Sequence, residues 1–149
     1  MFHGFNTTAS ALTAQRLRMD VVSSNMANVD TTRGRLVNGE WEPYRRKMVE
    51  IRPNENQFSS YLSKAMGRSD QAGNGVKVTR IVEDQTPFKL AYQPDHPDAN
   101  EEGYVSLPNV DPLKEMVDMM SATRSYEANV TTLNATKNML MKALEIGRG

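Results

Sequence analysis

The stretch NVDPLKEMVDMMSATRSYEANVTTLNATKNMLMKALEIG, residues 109–147, predicts one uninterrupted helix near the C-terminus. Asp111 is a suitable N-cap, Pro112 fits the first helical position, and Glu115 places a negative charge in the first turn. The glycine that closes the quoted stretch is a natural stop, so we expect a helix over residues 112–146, roughly 50 Å long at 1.5 Å per residue. A helix of that length is too long for one small globule.

Apolar residues recur along this helix at alternating steps of three and four, a spacing typical of a narrow coiled-coil seam that only Thr123 and Lys137 interrupt. The seam consists of Met116, Met119, Tyr126, Val130, Leu133, Leu140 and Leu144. A second seam near the N-terminus predicts an amphipathic helix over about residues 5–27, and it consists of Phe5, Leu12, Met19, Val22, Met26 and Val29. Pairing two helices of such unequal length leaves roughly 18 Å of the longer seam uncovered, which favours association between molecules.

Residues 35–108 have the pattern of a small β-rich insert. The Asn38-Gly39 pair predicts a type I′ hairpin, and Tyr44–Arg52 is strand-like. Further strands are expected within 76–83, 88–92 and 103–107, four in all, and the polar segment 54–73 is expected to hold at most one short helix. The predicted fold is therefore α+β: residues 1–34 and 109–149 form one coiled-coil-like helical domain, and the small β-rich insert lies between them in the chain.

The composition excludes several classes of function. Eighteen basic residues balance eighteen acidic ones, so no net charge steers the chain toward nucleic acid or an anionic membrane. Cysteine is absent, which excludes disulfides and thiolate metal sites, and no run of 18 apolar residues predicts a membrane span. The first twenty residues have neither the basic nor the apolar region of a secretory signal, so the expected location is the cytoplasm unless another export route operates.

Candidate chemical sites are weak. His96 lies between Asp95 and Asp98, but the prolines beside it favour a turn, and the only other histidine is His3. The basic run YRRK at 44–47 is interpreted as a solvated or partner-facing cluster rather than a phosphate site. No motif of a hydrolase, nucleotide-binding protein or kinase is present, so we expect no enzyme, cofactor or small-molecule substrate. A helical-hairpin adaptor and an enzyme built on the insert remain the alternatives.

The stretch SSNMANVDTTRG, residues 23–34, ends the first helix with polar residues. We expect Asn28 in the left-handed conformation past the helix end, and the polar side chains around it bonding the last carbonyls and the turn. Its role would be structural, as a joint where neighbouring subunits touch. The candidate assembly residues are Ser24, Asn25, Met26, Ala27, Asn28, Thr31, Thr32 and Gly34.

The same stretch resembles the N-terminal motif of flagellar rod, hook and hook-associated axial proteins. Residues 109–147 resemble their C-terminal domain, most clearly at EMV, residues 115–117, and RSYEAN, residues 124–129. The stretches PYRRKMVEI, GVKVTRIVED, PFKLAYQPDHPDA and GYVSLPNV resemble the proximal-rod members in particular. Many axial relatives place an aromatic after Gly34, and Arg35 at that place also fits a proximal-rod member. The resemblance covers nearly the whole chain.

This resemblance implies a structural subunit of the flagellar basal body. Such a subunit assembles with other copies of itself, other rod proteins and the rod-base or export-gate adaptor protein into the helical drive shaft that transmits motor torque. It implies export by the flagellar type III apparatus without a cleaved signal peptide, into the rod that crosses the periplasm. Nucleic acid, membrane insertion, cofactors and small-molecule substrates are not expected. Because helices rich in Asn, Thr and Ser gain little from propensity, we expect the ends to fold as neighbours cover their seams.

Overall fold

The computed structural model describes residues 2–54, 65 and 75–147. Within these residues two long helices flank six short strands in the chain, which confirms the α+β class. In chain order the elements are α1 (Phe2–Ala27), β1 (Arg35–Val37), β2 (Glu40–Glu42), β3 (Lys47–Pro53), β4 (Val76–Glu83), β5 (Lys89–Tyr92), β6 (Tyr104–Leu107) and α2 (Pro112–Ile146). The short helix expected within 54–73 lies outside the described residues, apart from Asn54 and Ala65.

Helix α2 has the predicted bounds because its start is specified locally. The Asp111 carboxylate accepts a hydrogen bond from the Leu113 amide at 3.1 Å, and the Asp111 carbonyl accepts one from the Glu115 amide at 3.0 Å. These two bonds are those of an N-cap residue. Helix α1 ends at the predicted Ala27 and begins three residues earlier than expected.

The strands form three two-stranded sheets, β1–β2, β3–β4 and β5–β6, of which the first and the last are antiparallel hairpins. Asn38 and Gly39 have φ values of 52° and 91°, which confirms the type I′ turn between β1 and β2. The prediction of four strands was wrong, because both arms of this hairpin are strands. The strand expected from Tyr44 begins only at Lys47, since the Tyr44 and Arg46 amides donate to other parts of the chain.

The chain divides into two compact units. The helix-end unit comprises residues 1–17, 50–80 and 122–149, and the hairpin unit comprises residues 18–49 and 81–121. Among the described residues, the buried apolar side chains of the hairpin unit are Val21, Val22, Pro43, Val105, Pro108 and Val110, and those of the helix-end unit are Ala14 and Ala122. The hairpin unit also buries four polar or charged side chains, those of Asn25, Arg46, Asn109 and Glu115.

Candidate functional site

Asn25, in the last turn of α1, is fully buried and joins three parts of the hairpin unit. Its Nδ2 donates to the Lys47 carbonyl at 2.8 Å and to Glu115 Oε2 at 2.9 Å. Its Oδ1 accepts from the Lys47 amide at 2.9 Å and from the Tyr44 hydroxyl at 3.0 Å. One amide side chain therefore fixes the end of α1 against the start of β3 and the first turn of α2.

Arg46 extends this arrangement with a buried ion-pair network. Its Nε donates to Glu115 Oε1 at 2.5 Å, its Nη2 lies 3.3 Å from Asp118 Oδ2, and its Nη1 lies 3.6 Å from Asp84 Oδ2. Arg46 is 7% exposed and Glu115 is fully buried. Burial alone would lower the pKa of Arg46, but the hydrogen bond and charge of Glu115, with the charges of Asp118 and Asp84, raise that pKa above its ordinary value.

Asn109 completes the site from the segment before α2. Its Oδ1 accepts from the Arg46 amide at 2.8 Å, and its Nδ2 donates to the carbonyls of Asp84 and Thr86 at 3.0 and 3.1 Å. The Thr86 amide, which donates to the Asp84 carboxylate at 3.0 Å, holds the pKa of Asp84 below its ordinary range, and Arg46 acts in the same direction. We call the following six residues the buried polar junction: Asn25, Arg46, Asp84, Asn109, Glu115 and Asp118.

At the end of α1 one predicted contact is present, and one predicted backbone conformation is not. Thr31 Oγ1 donates to Asn28 Oδ1 at 3.2 Å, so Thr31 bonds the turn as predicted, and Asn28 Nδ2 donates to the Ser24 carbonyl at 2.8 Å, a bond that was not predicted. The left-handed conformation expected of Asn28 is wrong, because Asn38 is the only described non-glycine residue with a positive φ. Tight turns end the helix instead, with the amides of Asn28, Val29 and Thr31 each donating to the carbonyl three residues back.

Three other residues of the stretch 23–34 bond elsewhere than predicted. The last helix carbonyls and the turn were the expected partners, but Ser24 Oγ lies 3.4 Å from the Tyr44 hydroxyl, Thr32 Oγ1 donates to Asp98 Oδ2 at 2.8 Å, and Asn25 bonds the junction. The physical reason is that the hairpins bring distant acceptors close. Asp98 also pairs with Arg33 at 2.6 Å, and this hydrogen bond, with that of Thr32, lowers the pKa of Asp98.

Gly34 is required by a close approach of two chain segments. A Cβ at this position would lie 2.6 Å from the Tyr44 amide nitrogen and 2.7 Å from its Cα. The Gly34 amide itself donates to the Glu42 carbonyl at 2.8 Å. Met26 and Ala27, the remaining candidates from this stretch, are exposed.

The candidate seam residues differ in exposure. Val22 is buried, Met116 and Leu144 are exposed, and the half-buried members are Leu12, Met19, Met119, Tyr126, Val130, Leu133 and Leu140. The most deeply buried positions of α2, Glu115 and Ala122, each lie one residue before a seam position. The role of the seam in assembly stays a prediction.

The other sequence candidates have structural roles. The interpretation of YRRK as a solvated or partner-facing cluster is wrong for Arg46, which is buried because three carboxylates surround it. His96 Nδ1 accepts from the Asp98 amide at 3.1 Å within the predicted turn. The part of the chain that the structure describes holds no group of three or more His, Asp or Glu side chains placed to hold a metal ion. Within those same residues, no helix combines the length and the apolar character that crossing a bilayer requires.

Comparison with known proteins gives consistent matches. Residues 5–34 match the family "Flagella basal body rod protein", and residues 101–146 match "Flagellar basal body rod FlgEFG protein C-terminal". The Flagellar basal-body rod protein FlgC of Bacillus subtilis is 67% identical over 99% of this chain and 98% of its own length. The proteins of the same name from Borreliella burgdorferi and Escherichia coli O6:H1 are each 42% identical, covering 100% and 97% of this chain and 99% and 96% of their own lengths.

Proposed function

The chain belongs to the FlgC family of flagellar basal-body rod proteins and is a structural subunit of that rod, and we propose that its two helical seams hold it there. Membership of the family is shown by 67% identity to a FlgC protein over nearly the entire chain. Membership places the protein in the flagellar basal body, where it assembles with other rod components.

The exposure of the seams supports this role for them. Leu144 is 72% exposed and Met116 is 49% exposed, although both lie on the apolar stripe of α2. Methionine adapts to neighbours that are not identical, and α2 carries Met116, Met119, Met120, Met139 and Met141. In the assembled rod, we propose, residues 1–34 and 109–149 form one inner coiled-coil-like helical domain with those of neighbouring subunits, and residues 35–108 lie outside it.

The proposal extends to the route and the partners. The chain leaves the cytoplasm through the flagellar type III apparatus without a cleaved signal peptide and enters the proximal part of the rod, which crosses the periplasm and transmits torque. Its partners are other copies, other rod proteins and the adaptor at the rod base. The residues 23–34 contribute the joint between the inner helices and the insert. This joint includes Ser24, Asn25, Asn28, Thr31 and Thr32.

Substitution in the seam tests the proposal. Leu133→Asp or Tyr126→Asp puts a charge on the half-buried seam face, so we expect loss of motility and of the chain from purified basal bodies. Asn134→Asp is the matched control, because Asn134 is exposed beside Leu133, and it should leave both readouts unchanged. Normal rods in both seam variants would refute the seam's role.

Coupled folding of the helix ends has a separate test. Circular dichroism and limited proteolysis of the purified full chain are compared with those of a version lacking residues 1–17 and 122–149, the parts of the two helices that belong to the helix-end unit. If the ends fold on assembly, removing them should cost little helical signal, and a protease should trim the full chain at both ends first. Fully formed, protease-resistant terminal helices in the monomer would contradict coupled folding.

A further inference from the structure

Two cations of the hairpin unit stay without a carboxylate partner although the unit is acidic. The unit contains eight basic and thirteen acidic residues, a formal charge of −5. Four of its basic residues pair with carboxylates: Arg18, Arg33, Arg35 and Arg46. Arg45 and Lys47, which flank Arg46 in the run YRRK, form no ion pair with any described residue.

Aromatic rings hold these two cations instead. The Arg45 guanidinium lies 4.4 Å from the centre of the Phe88 ring, and Lys47 Nζ lies 5.5 Å from the centre of the Tyr44 ring. The negative face of an aromatic ring attracts a cation without neutralising its charge. Both side chains are half-buried. The rings therefore restrict the positions of the two cations and leave their charges available to an anion from outside.

Arg45 and Lys47 line the same pocket, which has a volume of about 190 Å³. Among the described residues that line this basic pocket, Glu83 is the one carboxylate. Arg35, which also lines the pocket, lies 3.4 Å from Glu83 and 3.1 Å from Glu42. The charges of the pocket that no carboxylate compensates are therefore those of Arg45 and Lys47. Guanidinium and ammonium groups form their strongest hydrogen bonds with anionic oxygens, so the pocket favours a carboxylate.

The tight turn before β6 presents two carboxylates on a well-bonded backbone. The Gly103 amide donates to the Asn100 carbonyl at 2.9 Å, which makes Glu101 and Glu102 the central residues of this acidic turn. Asn100 Oδ1 also accepts from the amides of Glu102 and Tyr104 at 3.1 and 2.8 Å. Both glutamates are exposed and form no ion pair with any described residue. The acidic turn thus matches the basic pocket in both the number and the sign of its free charges.

The basic pocket and the acidic turn are associated with opposite faces of the hairpin β1–β2. In this hairpin the pair Leu36–Trp41 follows the pair Arg35–Glu42, and successive pairs point to opposite faces. Arg35 lines the basic pocket, whereas Trp41 lines a groove together with Asn100, the first residue of the acidic turn. Copies that stand side by side in one orientation therefore bring the turn of one toward the pocket of the next. Such a heterologous contact continues from copy to copy.

We propose that the acidic turn of one copy places Glu101 and Glu102 against Arg45 and Lys47 in the basic pocket of a second copy. The contact joins two inserts, so the helices stay free to pair in the inner domain. At physiological ionic strength, charges more than about 8 Å apart are largely screened, so these local charges outweigh the acidic excess of the unit. The inference rests on the proposed function and adds to it which surfaces of neighbouring copies meet. Charge complementarity is the argument for a second copy as the occupant.

A carbodiimide tests the contact in the unsubstituted chain, because this reagent joins a lysine amine to a carboxylate that touches it without adding a spacer. Purified basal bodies are treated, the cross-linked dimer of the chain is isolated under denaturing conditions, and its linked peptides are identified by mass spectrometry. We expect links from Lys47 to Glu101 or Glu102, at least about tenfold more frequent than links from Lys114 to these glutamates, because a charge-assisted bond holds the groups within about 3 Å. Lys114 is the internal control, an exposed lysine of the same unit without an ion pair to any described residue.

The variant Lys47→Arg keeps the positive charge and removes the reactive amine, so it should abolish this link. Equal frequencies of the Lys47 and Lys114 links, or no Lys47 link in the dimer, would overturn the proposed contact. A link from Lys47 to a different rod protein, with none to the second copy, would overturn it as well. In these cases the chain is still recovered in basal bodies, so the proposed function stands. Absence of the unsubstituted chain from basal bodies would overturn both.

Charge reversal gives a second measurement. Arg45→Glu with Lys47→Glu, and Glu101→Lys with Glu102→Lys, should each lower incorporation into basal bodies at least about fivefold, and all four together should restore it toward the original level. Asp95→Lys reverses an exposed carboxylate that lies outside both the pocket and the turn, and it should have no effect. Urea unfolding identifies any variant that fails to fold, and for such a variant the cross-link decides. Folded variants whose combination is incorporated no better than either parent would overturn the pairing of these charges.

Discussion

Breaking the ion pair between Arg46 and Glu115 should destabilise the hairpin unit far more than replacing both residues together. Glu115→Ala removes a fully buried carboxylate that accepts from Arg46 and Asn25, and it leaves Arg46 with only Asp118 at 3.3 Å and Asp84 at 3.6 Å. Removing one partner of a buried pair typically costs about 3–5 kcal/mol. Because two carboxylates remain near Arg46, we expect about 3 kcal/mol for this variant.

Replacing Arg46 instead of Glu115 should destabilise the hairpin unit more. Arg46→Met leaves Glu115 without exposure to water and with Asn25 as its one remaining side-chain donor, so we expect about 4–5 kcal/mol. Arg46→Met combined with Glu115→Leu removes both charges and leaves one Asn25 N–H unpaired, for an expected loss of about 1–2 kcal/mol. Glu115→Leu alone should destabilise the unit about as much as Glu115→Ala, so the double-mutant cycle of Arg46→Met, Glu115→Leu and their combination should give a coupling free energy of at least about 3 kcal/mol.

Urea unfolding followed by tryptophan fluorescence measures these losses, because Trp41 in β2 is the only tryptophan and lies in the hairpin unit. Arg35→Met is the matched control, an exposed arginine of the same unit that pairs with Glu42 at the surface, and it should change the free energy of unfolding little. Single variants that each lose less than about 1 kcal/mol, or a double variant that loses their sum, would refute the reasoning.

Three further predictions follow from single contacts. Asn25→Ala should lower the free energy of unfolding by about 2–3 kcal/mol, since it leaves buried groups of the junction unpaired, whereas Asn28→Ala should cost less than half of that in the same urea experiment. The pKa of Asp84 is lower in the folded chain than its unfolded value near 4. Its contribution to stability is therefore complete above about pH 5 and is lost as the pH falls through the folded pKa. In an acid titration, the stability of Asp84→Asn should depend less on pH. Gly34→Ala should lower the free energy of unfolding by about 1–3 kcal/mol, because its Cβ would lie 2.6 Å from the Tyr44 backbone. Thermal unfolding measures this loss, and an unchanged melting temperature would contradict the close contact.

Elements whose signals are local could be predicted from the sequence. The N-cap at Asp111 and the proline after it specify the start of α2 through contacts within four residues, and the predicted bounds are correct. The turn at Asn38-Gly39 likewise depends only on positive φ values at two residues. The additional strands were missed because β1 and β2 are three residues each, too short to show an alternating pattern.

The buried polar junction could not be predicted in the same way, because its contacts join residues 25 to 90 positions apart. In the sequence, Glu115 is explained as an acidic residue in the first turn of a helix, and that explanation gives no indication that its side chain is buried. The one available signal is the register of α2, in which Glu115, Met119, Ala122 and Tyr126 also recur at steps of four, three and four. Since apolar residues occupy both neighbouring registers, periodicity alone could not decide which of them faces inward.

The internal charges and the surface charges of the hairpin unit have separate roles. Arg46 and Arg18 pair with Glu115, Asp118 and Asp84 inside the unit. Seven exposed carboxylates of that unit form no ion pair with any described residue: Asp20, Asp30, Glu40, Asp95, Glu101, Glu102 and Asp111. The acidic excess is therefore carried by groups that folding does not pair. Reversing the charges of Glu101 and Glu102 should consequently leave urea unfolding unchanged, whereas Glu115→Ala should lower the free energy of unfolding. A subunit that keeps these two sets apart can vary its surface contacts without losing its fold.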